Sequence, residues 1–394
     1  MVDFRTIGAW DRDKPLVIDP VLTFATYSGS AANNFGFTAT YDGSGHLYGG
    51  GIVFGAGYPT SLGVIDPTFN GNFIDIGLTK FSLDGTSLIW STYIGGAFGN
   101  ETPQSLVVND SDELFVLATT GSNDFPTTPG CFDATFNGGT NIPLSGGFAN
   151  LLGGEGYDFA DGSDIAVVHL AADAGSLLGA TYIGGSGNDG LNNSTQLVYN
   201  YGDHFRGEIA LTTAGQPVVA SSTQSSNMPT TPGAPQGSFG GGGQDAFVLR
   251  LDPACTTLQF ATYFGGSQDD SGFGVQFATN GEVFLTGGTA SADLPMSGVP
   301  FDGSYNGAVD GYVARFNASG TALLGATYVG TSAEDQCYFV QLNTADEVFV
   351  VGQTHGNYPV TAGKYANPGS SQFIHKFSQD LGNSLWSTRI GSGM

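Results

Sequence analysis

Basic residues are the scarcest chemistry in this chain. Ten Lys and Arg stand against thirty-five Asp and Glu, a formal net charge of −25 over 394 residues. A surface of that sign repels phosphate backbones, and no basic patch interleaved with aromatics offsets it, so nucleic acid is excluded as a partner. Long apolar runs are missing too. No stretch approaches the roughly 20 residues that a membrane-spanning helix needs, so direct membrane insertion is not expected. Cysteine is sparse and odd in number. Cys131, Cys255 and Cys337 lack metal-ligand spacing and allow at most one internal disulfide. Met1 is followed by Val2-Asp3-Phe4-Arg5, with no basic segment and apolar stretch of a leader. A removed leader, or a piece cut from a longer chain, gives the same start.

Glycine is in excess, at 63 of 394 residues. It does not recur at every third position, which excludes collagen, and the Val, Ile, Phe and Tyr content argues against disorder. Glycines gather at the ends of apolar runs, where tight turns need them. One such run recurs: Thr26-Tyr27, Thr92-Tyr93, Thr181-Tyr182, Thr262-Tyr263, Thr327-Tyr328 and, altered, Thr388-Arg389. The steps between copies are 66, 89, 81, 65 and 61 residues. A module this short cannot bury its own apolar face, so each copy must stack on its neighbours.

Within each unit, two apolar stretches flank a polar turn, as in Val275 and Phe277, then Thr279-Asn280-Gly281, then Val283-Phe284-Leu285. Such runs read as β-hairpins. A proline follows in a rigid connection, at Pro59, Pro126, Pro229, Pro295 and Pro359, because proline cannot donate to a central ladder. A third strand carries Lys80, His169, Arg250, Arg315 and Lys376 at one register. Five residues earlier stand Asp75, Asp164, Asp245 and Asp310, with Ser371 in the last unit. This spacing predicts Asp–cation pairs that hold strand to loop. The Thr-Tyr phrase is the fourth strand.

The expected fold is all-β: a β-propeller of five complete four-stranded units plus one extra N-terminal strand at 21–27, with closure left open. The units run approximately 30–96, 97–185, 186–266, 267–330 and 331–394, after a lead segment at 1–20. Insertions concentrate at 138–160 and 193–207.

Thr-Tyr-Ile-Gly-Gly, the polar loop after it, Thr231-Pro232-Gly233-Ala234 and Asp245-Ala246-Phe247-Val248 together resemble the bacterial SBBP β-propeller repeat family across roughly residues 21–390. Lys14-Pro15-Leu16-Val17-Ile18-Asp19-Pro20 resembles the tail of the region that often precedes such repeats. The resemblance implies a propeller in an exported, extracellular or cell-surface protein of bacteria, with neighbouring domains or copies. It implies no enzyme activity. Gly330-Thr331 in place of two glycines and Arg389 in place of tyrosine depart from the pattern.

Chemistry is harder to place. Oxygen-rich pairs follow the repeat tyrosines at equal offsets, including Asn188-Asp189, Asp269-Asp270 and Glu334-Asp335, and suit calcium as a candidate ligand or serve as turn caps. They lack the EF-hand spacing. The five histidines form no metal-binding or catalytic spacing, so no catalytic residue is nominated. Tyr157, Phe159, Tyr199, Tyr201 and His204 lie in the insertions as candidate interaction loops for protein, matrix or carbohydrate. The reading favoured by these features is a noncatalytic extracellular scaffold, with catalysis the less favoured outcome. The alternatives are a carbohydrate-active hydrolase or lyase using clustered carboxylates, and an assembly subunit that exchanges terminal strands.

Overall fold

Short runs of β-branched and aromatic residues, ended by Gly, Asn and Asp, form antiparallel strands here because those side chains pack well on a pleated surface. The computed structural model describes residues 22–71, 73–143, 158–200 and 202–391. Five four-stranded sheets succeed one another along the chain. The first contains β1 (Asn33–Tyr41), β2 (Leu47–Phe54), β3 (Asp75–Phe81) and β4 (Leu88–Ile94). The second contains β5 (Glu101–Val108), β6 (Leu114–Thr120), β9 (Asp164–Leu170) and β10 (Leu177–Ile183). Between β6 and β9 lies a minimal hairpin, β7 (Ile142–Pro143) with β8 (Asp158–Phe159). The third has β11 (Glu208–Leu211), β12 (Pro217–Thr223), β13 (Asp245–Leu251) and β14 (Leu258–Phe264). The fourth has β15 (Asp270–Phe277), β16 (Val283–Thr289), β17 (Asp310–Phe316) and β18 (Leu323–Val329). The fifth has β19 (Asp335–Leu342), β20 (Val348–Thr354), β21 (Gln372–Phe377) and β22 (Ser384–Ile390). The fold is all-β and propeller-like.

Each apolar core is shared by two successive sheets. Ile76, Leu78 and Trp90 pack with Leu106, Val116 and Val168, and Phe115, Leu117 and Val167 pack with Val219, Phe247 and Leu249. Val248 and Phe264 meet Val275 and Tyr312, and Phe284 and Val313 meet Val340 and Phe373. Burial of each such side chain stabilises the stack by about 1.5–3 kcal/mol, so no sheet is complete without a neighbour.

The first sheet is the exception on its open side. Ile52, Ile74 and the partly buried Phe35, Phe37, Phe54 and Phe73 are covered by Ile142, Phe159 and Phe205 of the two insertions, with Leu191 just before the second. Phe37 and Phe205 meet edge to face at 5.7 Å. The same segment reaches the fifth sheet. Asn200 Nδ2 donates to Tyr338 Oη at 2.6 Å and to Gln353 Oε1 at 2.7 Å, and the Tyr199 ring lies 4.2 Å from that of His355. Among the described residues, the insertions supply the broad contact between the first and fifth sheets that successive sheets elsewhere make directly.

The first copy of the repeat phrase does not behave as the other five. Residues 22–30 form no strand, and Tyr27 is 95% exposed, whereas Tyr93, Tyr182, Tyr263 and Tyr328 are no more than 2% exposed. The fifth sheet already has β22 as its outer strand, so the expected extra strand finds no vacant position. Val21 lies outside the described residues.

Four of the five first strands bulge near their middle, at Gly36/Thr38, Pro103/Ser105, Gly272/Gly274 and Cys337/Phe339. The bulge drives a carbonyl against the second strand. A Cβ on Gly287 would stand 1.7 Å from Ser271 O, so only glycine fits there.

Two outcomes follow from this packing. Gly287→Ala should lower stability by about 1–3 kcal/mol in urea titration. Phe205→Ala should accelerate amide hydrogen exchange in β1 and β2 while leaving β17 and β18 unchanged, because Phe205 packs in the cluster that covers the first sheet.

Candidate functional site

The first strands of all five sheets line one axial space. Its wider part, about 690 Å³, is walled by residues of β1, β5 and β11 with Gln276 and Gln341. A deeper part, about 390 Å³, shares Thr38, Ala39, Ser105 and Glu208 with the first, and reaches Phe37, Phe273, Phe339, Phe205 and Arg206. The site exists because β11 is half the length of its counterparts. It has four residues where the other first strands have eight or nine, and the missing half is replaced by the 193–207 segment crossing towards the axis. The result is a cleft open at the hairpin ends of the first strands and floored at the other end.

A single turn of 3-10 helix, Asp203–Phe205, fixes that floor. Gly202 precedes it with φ of +85°, a conformation that favours glycine. Buried Asp203 accepts the N–H groups of Tyr199 and Asn200 through Oδ2, at 2.9 and 2.6 Å. Its Oδ1 accepts Arg206 Nε at 3.1 Å. The Arg206 guanidinium is thereby held over the Tyr338 ring, 4.2 Å from its centre, which joins cation–π attraction to the ion pair.

Glu208 begins β11 in the cleft wall. Its Oε2 accepts the Val275 N–H at 2.8 Å, and Gly274 leaves room for it, since a Cβ there would stand 3.2 Å from that oxygen. Withdrawal from water raises the Glu208 carboxyl to about 7, and the Val275 bond opposes the rise only in part. A carboxyl in that range exists in both protonation states at neutral pH and can give or take a proton. The remaining walls offer the amides of Gln104, Gln276 and Gln341 between aromatic faces. Gln104 Nε2 is tied to Thr119 Oγ1 at 2.8 Å and to Gly190 O, while its Oε1 has no hydrogen-bond partner.

The residues singled out by sequence fall elsewhere. Asp75, Asp164, Asp245 and Asp310 begin the third strands, and Lys80, His169, Arg250 and Arg315 lie five positions on, near the opposite ends. The pairing expected between them is corrected: the cations bind acids of the hairpin turn in their own sheet. Lys80 Nζ meets Asp42 at 3.0 Å, His169 Nε2 meets Glu113 at 3.0 Å, and Arg315 meets Glu282 at 2.7 Å. Arg250 donates instead to Ala318 O at 2.9 Å, in the next sheet.

The oxygen-rich pairs are partly occupied by hydrogen-bond donors or a histidine, while Asn188 Oδ1, Asp270 Oδ1 and Asp335 Oδ1 have no hydrogen-bond partner. Asn188 Nδ2 reaches Gln224 Oε1, Asp269 accepts Gly243 N–H and Ser194 Oγ–H, and Glu334 lies 3.4 Å from His355. Asp189, Asp270 and Asp335 accept N–H and hydroxyl groups within the sheet junctions. No three His, Cys, Asp or Glu side chains converge among the described residues. Of the insertion aromatics, Phe159 is buried under the first sheet, so it is not free to meet a partner. His204 Nδ1 contacts Asn192 O and Tyr199 packs on His355. Tyr157 and Tyr201 lie outside the described residues.

Glu208 and Arg206 were not found by sequence reasoning. Both belong to the one place where the repeat is interrupted, and the only signal was the early loss of the first-strand pattern before Ile209.

No protein-family model matches the chain, and no curated protein matches its sequence. Solved structures share its shape at low identity. The NanB sialidase from Streptococcus pneumoniae is 11% identical with a TM-score of 0.43, over 93% of this chain and 62% of that one. A protein of unknown function from Dyadobacter fermentans is 11% identical with a TM-score of 0.41, over 94% and 85%. The polysaccharide lyase Uly1 is 7% identical with a TM-score of 0.37, over 88% and 58%. This chain thus spans less than two thirds of the sialidase, and the likeness concerns shape alone. The expectation of a noncatalytic scaffold is corrected by the site itself: the wall of the axial space carries a carboxyl raised to about 7, a group able to exchange a proton that the repeat pattern did not reveal.

Loss of the floor can be tested directly. Asp203→Asn should release Arg206 and loosen Tyr199 and Asn200, which would appear as faster hydrogen exchange across 199–206 with β15 to β18 unaffected.

Proposed function

We propose that the chain is a carbohydrate-active enzyme, a hydrolase whose axial cleft receives the end of a neutral glycan and whose Glu208 acts as the proton donor. The observation that carries this reading is a carboxyl raised to about 7 inside a deep, blind-ended space lined by amides and aromatic rings. Amides match sugar hydroxyls, and aromatic faces match the apolar faces of pyranose rings. The floor favours chain ends over mid-chain binding, because a polymer cannot pass through it. The net charge of −25 favours neutral over anionic saccharides.

Asp203 is engaged with Arg206, and Asp110 is exposed at the open hairpin end, so Glu208 is the carboxyl withdrawn from water in the cleft wall and free of an ion pair. As general acid it would protonate the departing glycosidic oxygen, with Val275 N–H holding the carboxyl in place, while water adds to the anomeric carbon and its released proton restores the acid form of Glu208 through solvent. Arg206, stacked on Tyr338, would present N–H donors to a hydroxyl at the bottom of the cleft. The phrases that resemble SBBP repeats support assigning the blades to that repeat type. They also support an exported setting, extracellular or at the bacterial cell surface, where polysaccharide is at hand.

The test is turnover of nitrophenyl glycosides and neutral oligosaccharides by the purified chain and by Glu208→Gln. Active chain should release terminal sugars, with kcat/KM falling above about pH 7 as Glu208 loses its proton. Glu208→Gln should lower kcat by about 10²–10⁴ with little change in KM. Saccharide binding without turnover, or full activity in the variant, would overturn the assignment.

A further inference from the structure

Four junctions between successive sheets repeat one arrangement that the cleft does not use. The aspartate that opens the third strand faces an acid at the start of the next sheet. The pairs are Asp75 with Glu101, Asp164 with Asp189, Asp245 with Asp270, and Asp310 with Asp335. None of the eight is more than 1% exposed. Each aspartate crowds the glycine after the outer-strand phrase, and in two junctions the facing acid crowds it as well. A Cβ on Gly95 would stand 2.6 Å from Asp75 Oδ1 and 2.9 Å from Glu101 Oε2. On Gly265 it would stand 2.4 Å from Asp245 Oδ1 and 2.8 Å from Asp270 Oδ2.

One oxygen of each aspartate is satisfied in the same way. The backbone N–H groups of Asn70, Asn137, Gly240 and Asn306 donate to Oδ2 at 2.6–2.7 Å. The other oxygen, Oδ1 in all four, has no hydrogen-bond partner, and neither have Glu101 Oε2, Asp270 Oδ1 and Asp335 Oδ1 on the facing acids. A buried acceptor left so is costly, and its recurrence at one register in four sheets makes it a feature of the repeat. No ion pair reaches any of the eight among the described residues.

We propose that each junction is closed by one shared proton, bound between the aspartate Oδ1 and the facing carboxyl, so that four acid pairs latch the sheets together and weaken as pH rises. A protonated carboxyl donates where a carboxylate only accepts, which supplies the partner that Oδ1 lacks. A hard divalent cation is the poorer match. It takes about six to eight oxygens, and each junction offers one free aspartate oxygen with at most one free oxygen on the facing acid, the others being spent on Thr120 and Ser122, on Thr223 and Ser225, on Ser291, and on Thr331.

The surroundings add no compensating charge at three junctions. Asp66 and Asp124 face the first pair, Asp133 the second and Asp269 the third, with the phenols of Tyr182, Tyr263 and Tyr312 alongside. The fourth has Asp302, Cys337, Tyr358 and Tyr328, and His355 as its one basic neighbour. Burial, helped by the facing acid, pushes Asp164 and Asp245 up to about 8, and burial with the neighbouring acids pushes Asp75 up to about 7. Unfolded, such groups lose their protons near 3.8. The folded chain therefore retains protons that the unfolded chain has shed. Their contribution to stability is full below about pH 4 and is lost as pH rises to about 8. In the last unit Ser371 replaces the aspartate, and Arg389 donates nearby to Ser370 O at 2.9 Å.

The test is the thermal midpoint of the full chain from pH 6.5 to 8.5, with EDTA and with calcium chloride, alongside the infrared carbonyl band of protonated carboxyls in D₂O. In this window His375, held to about 3 by burial, contributes little. The midpoint should fall as pH rises, neither additive should move it, and the carboxyl band should persist at pH 6.5. Because Glu208 also titrates, Asp245→Asn isolates one pair: its unfolding constant should change up to tenfold less per pH unit than that of the parent. A flat or rising midpoint, stabilisation by calcium, or absence of the infrared band would overturn the proposal. Should Asp245→Asn fail to fold, the pH series and the band of the unaltered chain decide it.

Discussion

A phenol hydroxyl buried at the end of four of the five outer strands holds the crossover between sheets. Tyr93, Tyr263 and Tyr328 accept the N–H of the residue before the recurrent proline, from Tyr58 at 2.9 Å, Met228 at 2.8 Å and Leu294 at 3.1 Å. The same hydroxyls donate to a carbonyl at the end of the second strand's connection, on Gly55, Ser225 and Ser291, and Tyr182 donates likewise to Ser122. The neighbouring threonine fastens the return of that connection: Thr181 Oγ1 accepts Asp133 N–H and Thr327 Oγ1 accepts Asp302 N–H, both at 2.9 Å. With the connection pinned at both ends, the third strand starts at a fixed place, its aspartate faces the next sheet, and the glycine beside the tyrosine must stay bare. Tyrosine, threonine, proline, aspartate and glycine recur together because they serve one contact.

This explains what sequence could and could not show. The period, the five units and the four strands in each were legible because the tie needs the same residue types in every copy. Tyr27 carries the phrase without the tie, so it reads like a sixth mark and is exposed. The cation register was visible, but its partner was misjudged. Five residues along a strand span roughly 17 Å, which puts Asp75 and Lys80 out of reach of each other, and Asp42 in the hairpin turn was the acid close at hand. Asp245 and Asp270 were each noticed at their own register. Their meeting across a sheet junction depends on how sheets stack, which no local spacing reports.

Glu208 was invisible for the opposite reason. It stands where repetition fails, beside a shortened strand and an inserted floor, so no second copy draws attention to it. The insertions do two things at once. They cover the apolar side of the first sheet through Phe159 and Phe205, and they turn an axial space into a blind cleft through Asp203 and Arg206. A scaffold that repeats thus acquires a single polar site where one copy departs from the rule.

The most direct measurement is a crystal structure of Glu208→Gln with a neutral oligosaccharide. A sugar chain should enter by its end, with its terminal ring on the Phe37, Phe205 and Phe339 floor and a glycosidic oxygen within hydrogen-bonding reach of position 208. A saccharide bound elsewhere, or an empty cleft at saturating concentration, would contradict it.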